Sequence, residues 1–139
     1  SPMIVIMGKS MPPPMISPPS TAVMCGHGYG MSRKREKNEM AWAELVGPLA
    51  PWRSDRVCLG LTLIGAGSYY PDHRHPALEL YAVVAGEAEW SRSGETSLRP
   101  PGSRILHRGN EVHAMRTGEE PLLAIYSWSG DVVSPSVYV

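Results

Sequence analysis

The chain has 139 residues, equal numbers of basic and acidic side chains (13 each) and a hydrophobic fraction of 42%. That length supports one domain, and the composition is that of a folded chain rather than a disordered one. Zero net charge excludes the basic footprint of a nucleic-acid binder, and no apolar run approaches the ~18 residues of a membrane-spanning helix. Met3-Ile4-Val5-Ile6-Met7 is too short for a secretory core and follows no cationic segment, so the expected location is the cytoplasm. Cys25 and Cys58 sit in unrelated contexts and are expected to be free thiols.

In chain order, residues 1–30 are dominated by Met, Pro, Ser and Gly, a composition that reads as extended or irregular chain. Ser32 to Val46 is expected to be a helix: Ser32 caps it, Arg33-Lys34-Arg35-Glu36-Lys37 forms a solvated start, and Met40, Ala43, Leu45 and Val46 supply apolar positions. Gly47-Pro48 ends it. Residues 1–54 are thus expected to form an N-terminal segment with one helix (about 32–46) packed on a barrel that occupies 55–139.

Beyond Arg56 the hydrophobic period changes to two. Val57 to Ile64 reads as a strand ended by Gly65-Ala66-Gly67. Leu78 to Ala85 and Glu87 to Ser91 are two more strands, with a turn at Gly86. Further turns at Gly94-Glu95 and Pro100-Pro101-Gly102 precede strands at about 104–107, 112–116 and 122–128. Short strands at regular spacing, separated by Gly/Pro turns, define an all-β sandwich or barrel.

Four of the five histidines, His73, His75, His107 and His113, fall within about forty residues. Alternate side chains of extended chain share a face, so odd-numbered His73, His75, Glu79 and Tyr81 point one way. Leu78, Leu80 and Ala82 point the other, where ordinary packing is expected to take them. Two imidazoles and a carboxylate are costly to bury unless something satisfies them. A divalent metal does so, with His113 as the further donor. Three neutral imidazoles and one carboxylate suit Zn, Fe, Mn or Ni without selecting among them. His107 shares the odd parity of His113 and is read as a pocket-wall or surface residue, and His27 receives no role.

Gly67-x5-His73-x-His75-x3-Glu79-x6-Gly86 resembles the first cupin motif. Gly102 and His113 fall where the second motif has them, with Arg108 in place of its Pro, Asn110 of its Gly and Thr117 of its closing Asn. The departures are turn positions, and the metal set is complete. The resemblance covers roughly residues 55–130 and implies a double-stranded β-helix, or jelly roll, with a metal in its interior.

Tyr70-Pro71-Asp72-His73-x-His75-Pro76-Ala77-x-Glu79-x-Tyr81, with Gly86-Glu87-Ala88-Glu89-Trp90, His113-Ala114-Met115 and Trp128, resembles the cupin-type dimethylsulfoniopropionate (DMSP) lyases. That resemblance implies β-elimination of a zwitterion to dimethyl sulfide and acrylate. The metal would bind the substrate carboxylate and Tyr81 would act as general base. Tyr70, Tyr126 and Trp128 are candidates to face the sulfonium, which attracts aromatic faces. The substrate is the small-molecule partner, with no nucleic acid or membrane involved, and a homodimer is an allowed assembly. Two other readings share the ligands: another metal-dependent cupin enzyme, a dioxygenase or isomerase, and a non-enzymatic ligand-sensing cupin.

Overall fold

The computed structural model describes residues 38–139. These form eleven strands in two sheets, with no helix among the described residues. The six-stranded sheet has the order β2 (Trp52–Arg53), β1 (Met40–Gly47), β3 (Val57–Ile64), β10 (Leu122–Ser129), β5 (Leu78–Ala85), β8 (Arg104–His107). The five-stranded sheet has the order β11 (Val137–Tyr138), β4 (Tyr69–Arg74), β9 (His113–Thr117), β6 (Ala88–Arg92), β7 (Glu95–Arg99). All pairings are antiparallel except β1 with β2. Consecutive strands β4, β5 and β6 alternate between the sheets, as in a double-stranded β-helix.

The predicted helix over about 32–46 does not form where the structure describes it. Residues 32–37 lie outside the described residues, and Met40–Gly47 is a strand in register with β3, from Met40 opposite Ile64 to Val46 opposite Leu59. Its Met, Ala, Glu and Leu residues favour helix weakly, by tenths of a kcal/mol each, and the ladder with β3 outweighs that preference. A bulge between Glu44 and Val46 blurs the alternation that would have marked a strand.

His73 to Tyr81 keeps the expected parity through a change of sheet. His73 is on β4, His75 to Ala77 form the crossing, and Glu79 and Tyr81 are on β5. Residues 73, 75, 77, 79 and 81 are all buried, and the intervening ones are exposed. The complementary expectation is corrected. Leu78 and Leu80 are 43% and 42% exposed, on an outer sheet face that also carries Leu59, Leu63, Leu106 and Ile125. The barrel interior is already filled by the polar side chains and by Trp90, Ile105, Met115, Ile64 and Leu122, so the even positions of β5 have no core to enter.

The departures from the second cupin motif preserve its turns. Asn110, in the usual Gly position, adopts φ +61°, a conformation Asn tolerates better than most residues, and its N–H donates to the His75 carbonyl at 2.7 Å. The Thr117 hydroxyl donates to the Gly65 carbonyl at 2.6 Å and accepts from the Ser68 N–H at 2.9 Å, tying β9 to the start of β4. Gly86, between β5 and β6, has φ +71°, and a Cβ there would overlap the Pro121 carbonyl oxygen. Gly86→Ala combines left-handed strain with a backbone clash and is expected to cost roughly 2–4 kcal/mol. Urea denaturation followed by circular dichroism measures that loss.

Candidate metal centre and its pocket

Cross-strand register in the six-stranded sheet arranges the inward side chains in rows. One row runs Cys58 (β3), Trp128 (β10), Glu79 (β5), His107 (β8). The next runs Glu44 (β1), Gly60 (β3), Tyr126 (β10), Tyr81 (β5), Ile105 (β8). Gly60 is required there, because a Cβ would come within 2.6 Å of the Tyr126 hydroxyl. From the other sheet, His73 lies directly opposite His113.

Glu79 is the centre of this arrangement. It is 2% exposed, and its Oε1 lies 3.2 Å from His75 Nε2, 3.0 Å from His107 Nδ1 and 3.2 Å from His113 Nε2. Its Oε2 accepts the Trp128 indole N–H. Burial alone would raise the Glu79 carboxyl, but the hydrogen bond donated by His107, with the other imidazoles around it, holds it well below the usual carboxylate range.

The protonation of each imidazole follows from its other nitrogen. His73 Nδ1 donates to the Pro71 carbonyl at 2.7 Å, His75 Nδ1 to Ala77 at 3.0 Å and His113 Nδ1 to Glu111 at 2.8 Å. A neutral ring with its proton on Nδ1 presents a lone pair at Nε2. In that form His75 and His113 aim acceptors at a carboxylate oxygen, a repulsive arrangement that a cation would reverse. His113 Nε2 is buried and has no hydrogen-bond partner among the described residues. Ligand atoms of His75, Glu79 and His113 all lie within 4.8 Å of one another. His73 falls outside that group, although its ring packs on His113 with centroids 4.0 Å apart. The donor set fits a divalent transition metal, and the Nδ1 bonds are the outer partners that orient histidine ligands.

His107 is oriented differently. Its Nε2 accepts from the Trp90 indole N–H at 3.0 Å and its Nδ1 donates to Glu79, so neither nitrogen is free. The ring is fully buried and stacks on His113 with centroids 3.7 Å apart. It lies in the barrel wall rather than on the surface, as the hydrogen-bonded support of Glu79. Odd parity was the signal for it in the sequence. The role of Trp90 is set by tertiary packing alone.

A cavity opens beside the cluster, lined by His73, His75, Glu79, Tyr70, Tyr81, Tyr126 and Trp128, with Val132, Pro135 and Ser136 of the C-terminal loop. All three aromatics proposed from sequence to face a substrate line it. Tyr70 stacks on His73 with centroids 3.9 Å apart and Trp128 on His75 at 4.1 Å, so one face of each ring is already used. Tyr81 is buried against Trp90 and Tyr126. Burial, reinforced by the Glu79 carboxylate, pushes its phenol well above the usual tyrosine value, while the Thr62 hydroxyl acts in the opposite direction. Trp42 and Glu44 also line the cavity, and the expected helix concealed both. Cys58 is buried in the first row, and Cys25 lies outside the described residues.

Two interleaved sheets with a histidine–carboxylate cluster in their interior place the chain among the cupins. A cupin-like protein from Thermotoga maritima has the same fold, with a TM-score of 0.65 over 74% of this chain and 77% of its own, at 16% identity. Residues 23–124 match the DMSP lyase family model, and the chain belongs to that family. It is 38% identical to the DMSP lyase DddQ of Ruegeria pomeroyi over 67% of this chain and 47% of that protein. It is 35% identical to the putative DMSP lyase DddL of Cereibacter sphaeroides over 75% of this chain and 44% of that protein. The crystal structure of the R. pomeroyi DddQ superposes with a TM-score of 0.69 and 36% identity, covering 72% of this chain and 51% of that one. The chain thus spans about half the length of the relatives it matches. No helix among the described residues is long and apolar enough to cross a membrane.

Trp90→Phe leaves the buried His107 Nε2 without its donor. The expected cost is about 1–3 kcal/mol of stability, with divalent-metal affinity reduced about 10–100-fold. Thermal melting and calorimetric metal titration read the two effects. In metal-free protein, burial, with a smaller contribution from neighbouring His113, holds His73 well below the usual histidine value of 6.5, and Glu79 lies below the usual 4.5. Both groups therefore bind protons more readily in the unfolded chain. Stability is full above pH 6.5 and is expected to fall on acidification, first through the His73 range and then through that of Glu79. Denaturation of chelator-treated protein between pH 8 and 4 measures the trend; stability that rises on acidification refutes it.

Proposed function

We propose that this chain is the catalytic barrel of a metal-dependent lyase that cleaves DMSP to dimethyl sulfide and acrylate. The observation that carries the proposal is the convergence of Nε2 lone pairs on a buried carboxylate, beside a cavity containing Tyr81, in a chain of the DMSP lyase family. His73, His75, Glu79 and His113 would hold one divalent transition metal, with Zn, Fe, Mn and Ni all compatible with the donors. Such a cation supplies positive charge that neutralises the substrate carboxylate, acidifies the adjacent C–H and favours the Tyr81 phenolate.

Tyr81 takes the proton α to the carboxylate. The C–H electron pair becomes the new Cα–Cβ double bond, the Cβ–S bond breaks, and its pair leaves on sulfur as neutral dimethyl sulfide. Acrylate remains, and the proton on Tyr81 returns to solvent. The protein alone makes Tyr81 a poor base, because burial and Glu79 both oppose the phenolate. Its activation therefore depends on the metal charge. The rings of Tyr70, Tyr126 and Trp128 supply the aromatic surroundings suited to a sulfonium, which carries charge but no hydrogen-bond donor.

Purified protein loaded in turn with each of the four metals is expected to release dimethyl sulfide from DMSP, measured by headspace gas chromatography. Chelation should abolish release, and Tyr81→Phe should lower the rate by at least about 100-fold with metal affinity unchanged. No sulfide above a boiled control with any metal overturns the proposal, as does a Tyr81→Phe variant that retains full activity.

A further inference from the structure

The cavity has a second buried carboxylate that the elimination does not use. Glu44, on β1, is 8% exposed and lines the same pocket as Glu79. Its carboxylate lies beside Gly47 and the Cys58 thiol, at the β1 end of its row. It stands in the row of Tyr126 and Tyr81, one row from Glu79 and three strands away, so the two carboxylates lie on different sides of the cavity. Tyr126 lies between them. Burial first, and then Glu44, push its phenol upward, with Glu79 contributing less. Two residues before Glu44 on the same strand, Trp42 also lines the cavity and meets the edge of Tyr70 at a centroid distance of 5.8 Å.

A buried carboxylate facing aromatic rings suits one class of ligand, a quaternary cation without N–H or O–H donors. A protonated amine or guanidinium would demand several hydrogen-bond acceptors, and aromatic edges do not supply them. Charge balance points the same way. A divalent metal offsets Glu79 and one ligand carboxylate, which leaves the Glu44 charge to be matched by a positive charge elsewhere on the ligand. We propose that Glu44, with Trp42, Tyr70 and Tyr126, forms a subsite for the onium group of the substrate. Glu44 then selects a zwitterion over a carboxylate of the same shape whose tail is uncharged. This assignment rests on the lyase reading for the identity of the onium group.

The test uses two inert probes of equal shape, 3-(trimethylammonio)propionate and its carbon isostere 4,4-dimethylpentanoate, which keeps the carboxylate and lacks the onium charge. Both are titrated calorimetrically into the metal-loaded full chain. The wild type is expected to bind the cationic probe at least ten times more tightly. In Glu44→Gln the preference should fall to twofold or less, with affinity for 4,4-dimethylpentanoate unchanged. Glu44→Asp, which keeps the charge, should retain most of the preference, and it alone decides the matter if the glutamine variant does not fold. A wild type without preference, or a preference unchanged in Glu44→Gln, overturns the subsite. If the same wild-type preparation releases dimethyl sulfide while Glu44→Gln leaves the preference intact, the subsite falls and the lyase reading stands. If the preference depends on Glu44 but no sulfide is released, the lyase reading falls and the pocket remains a site for quaternary cations.

Discussion

An ionised carboxylate taken out of water is among the most expensive objects a fold can contain, and Glu79 is one. The protein surrounds it with polar side chains from separate parts of the chain. His75 comes from the β4–β5 crossing, His107 from β8, His113 from β9 and Trp128 from β10. Those elements belong to both sheets, so the polar cluster ties the two walls of the barrel together. Trp90 extends the connection to β6 through His107. The cluster is therefore a structural centre as well as a candidate metal site. A network of this kind stabilises only when every member is satisfied. The Nε2 of His113 is the member of this network that has no hydrogen-bond partner among the described residues.

This arrangement inverts the usual distribution of side chains in the six-stranded sheet. Its inner face carries carboxylates, imidazoles and phenols, while its outer face exposes Leu59, Leu63, Leu78, Leu80, Leu106 and Ile125. Apolar packing is concentrated deeper in the barrel, around Trp90, Ile105, Met115, Ile64 and Leu122. The cavity thus has polar groups at its centre and aromatic rings around them, an arrangement suited to a small ligand carrying both charges.

Much of the fold was legible because its strands obey local rules. The strands from Val57, Leu78, Arg104 and Leu122 lie where alternation and Gly/Pro turns put them, within a residue or two. The turn at Asn110 departs from the motif and forms because Asn accepts a left-handed conformation in place of Gly. The strand at Met40 was not legible. Its residues prefer helix, and only pairing with β3, a partner beyond the intervening turn, makes it a strand. That misreading also concealed Trp42 and Glu44, because helical spacing would not have put both on one face.

Spacing by itself determined that His73, His75 and Glu79 share a buried face, because two-residue alternation survives the crossing at Pro76. It also placed Tyr81 with them. Tertiary structure decided the rest. Whether His107 is surface or support depends on register with Glu79 across β5 and β8, and whether Leu80 is core or exposed depends on which sheet face is closed. The protons on the imidazoles depend on carbonyls that the folded backbone brings to each Nδ1. Local periodicity encodes the direction of a side chain, but its partners are set by chain segments tens of residues away, brought together only by the closed barrel.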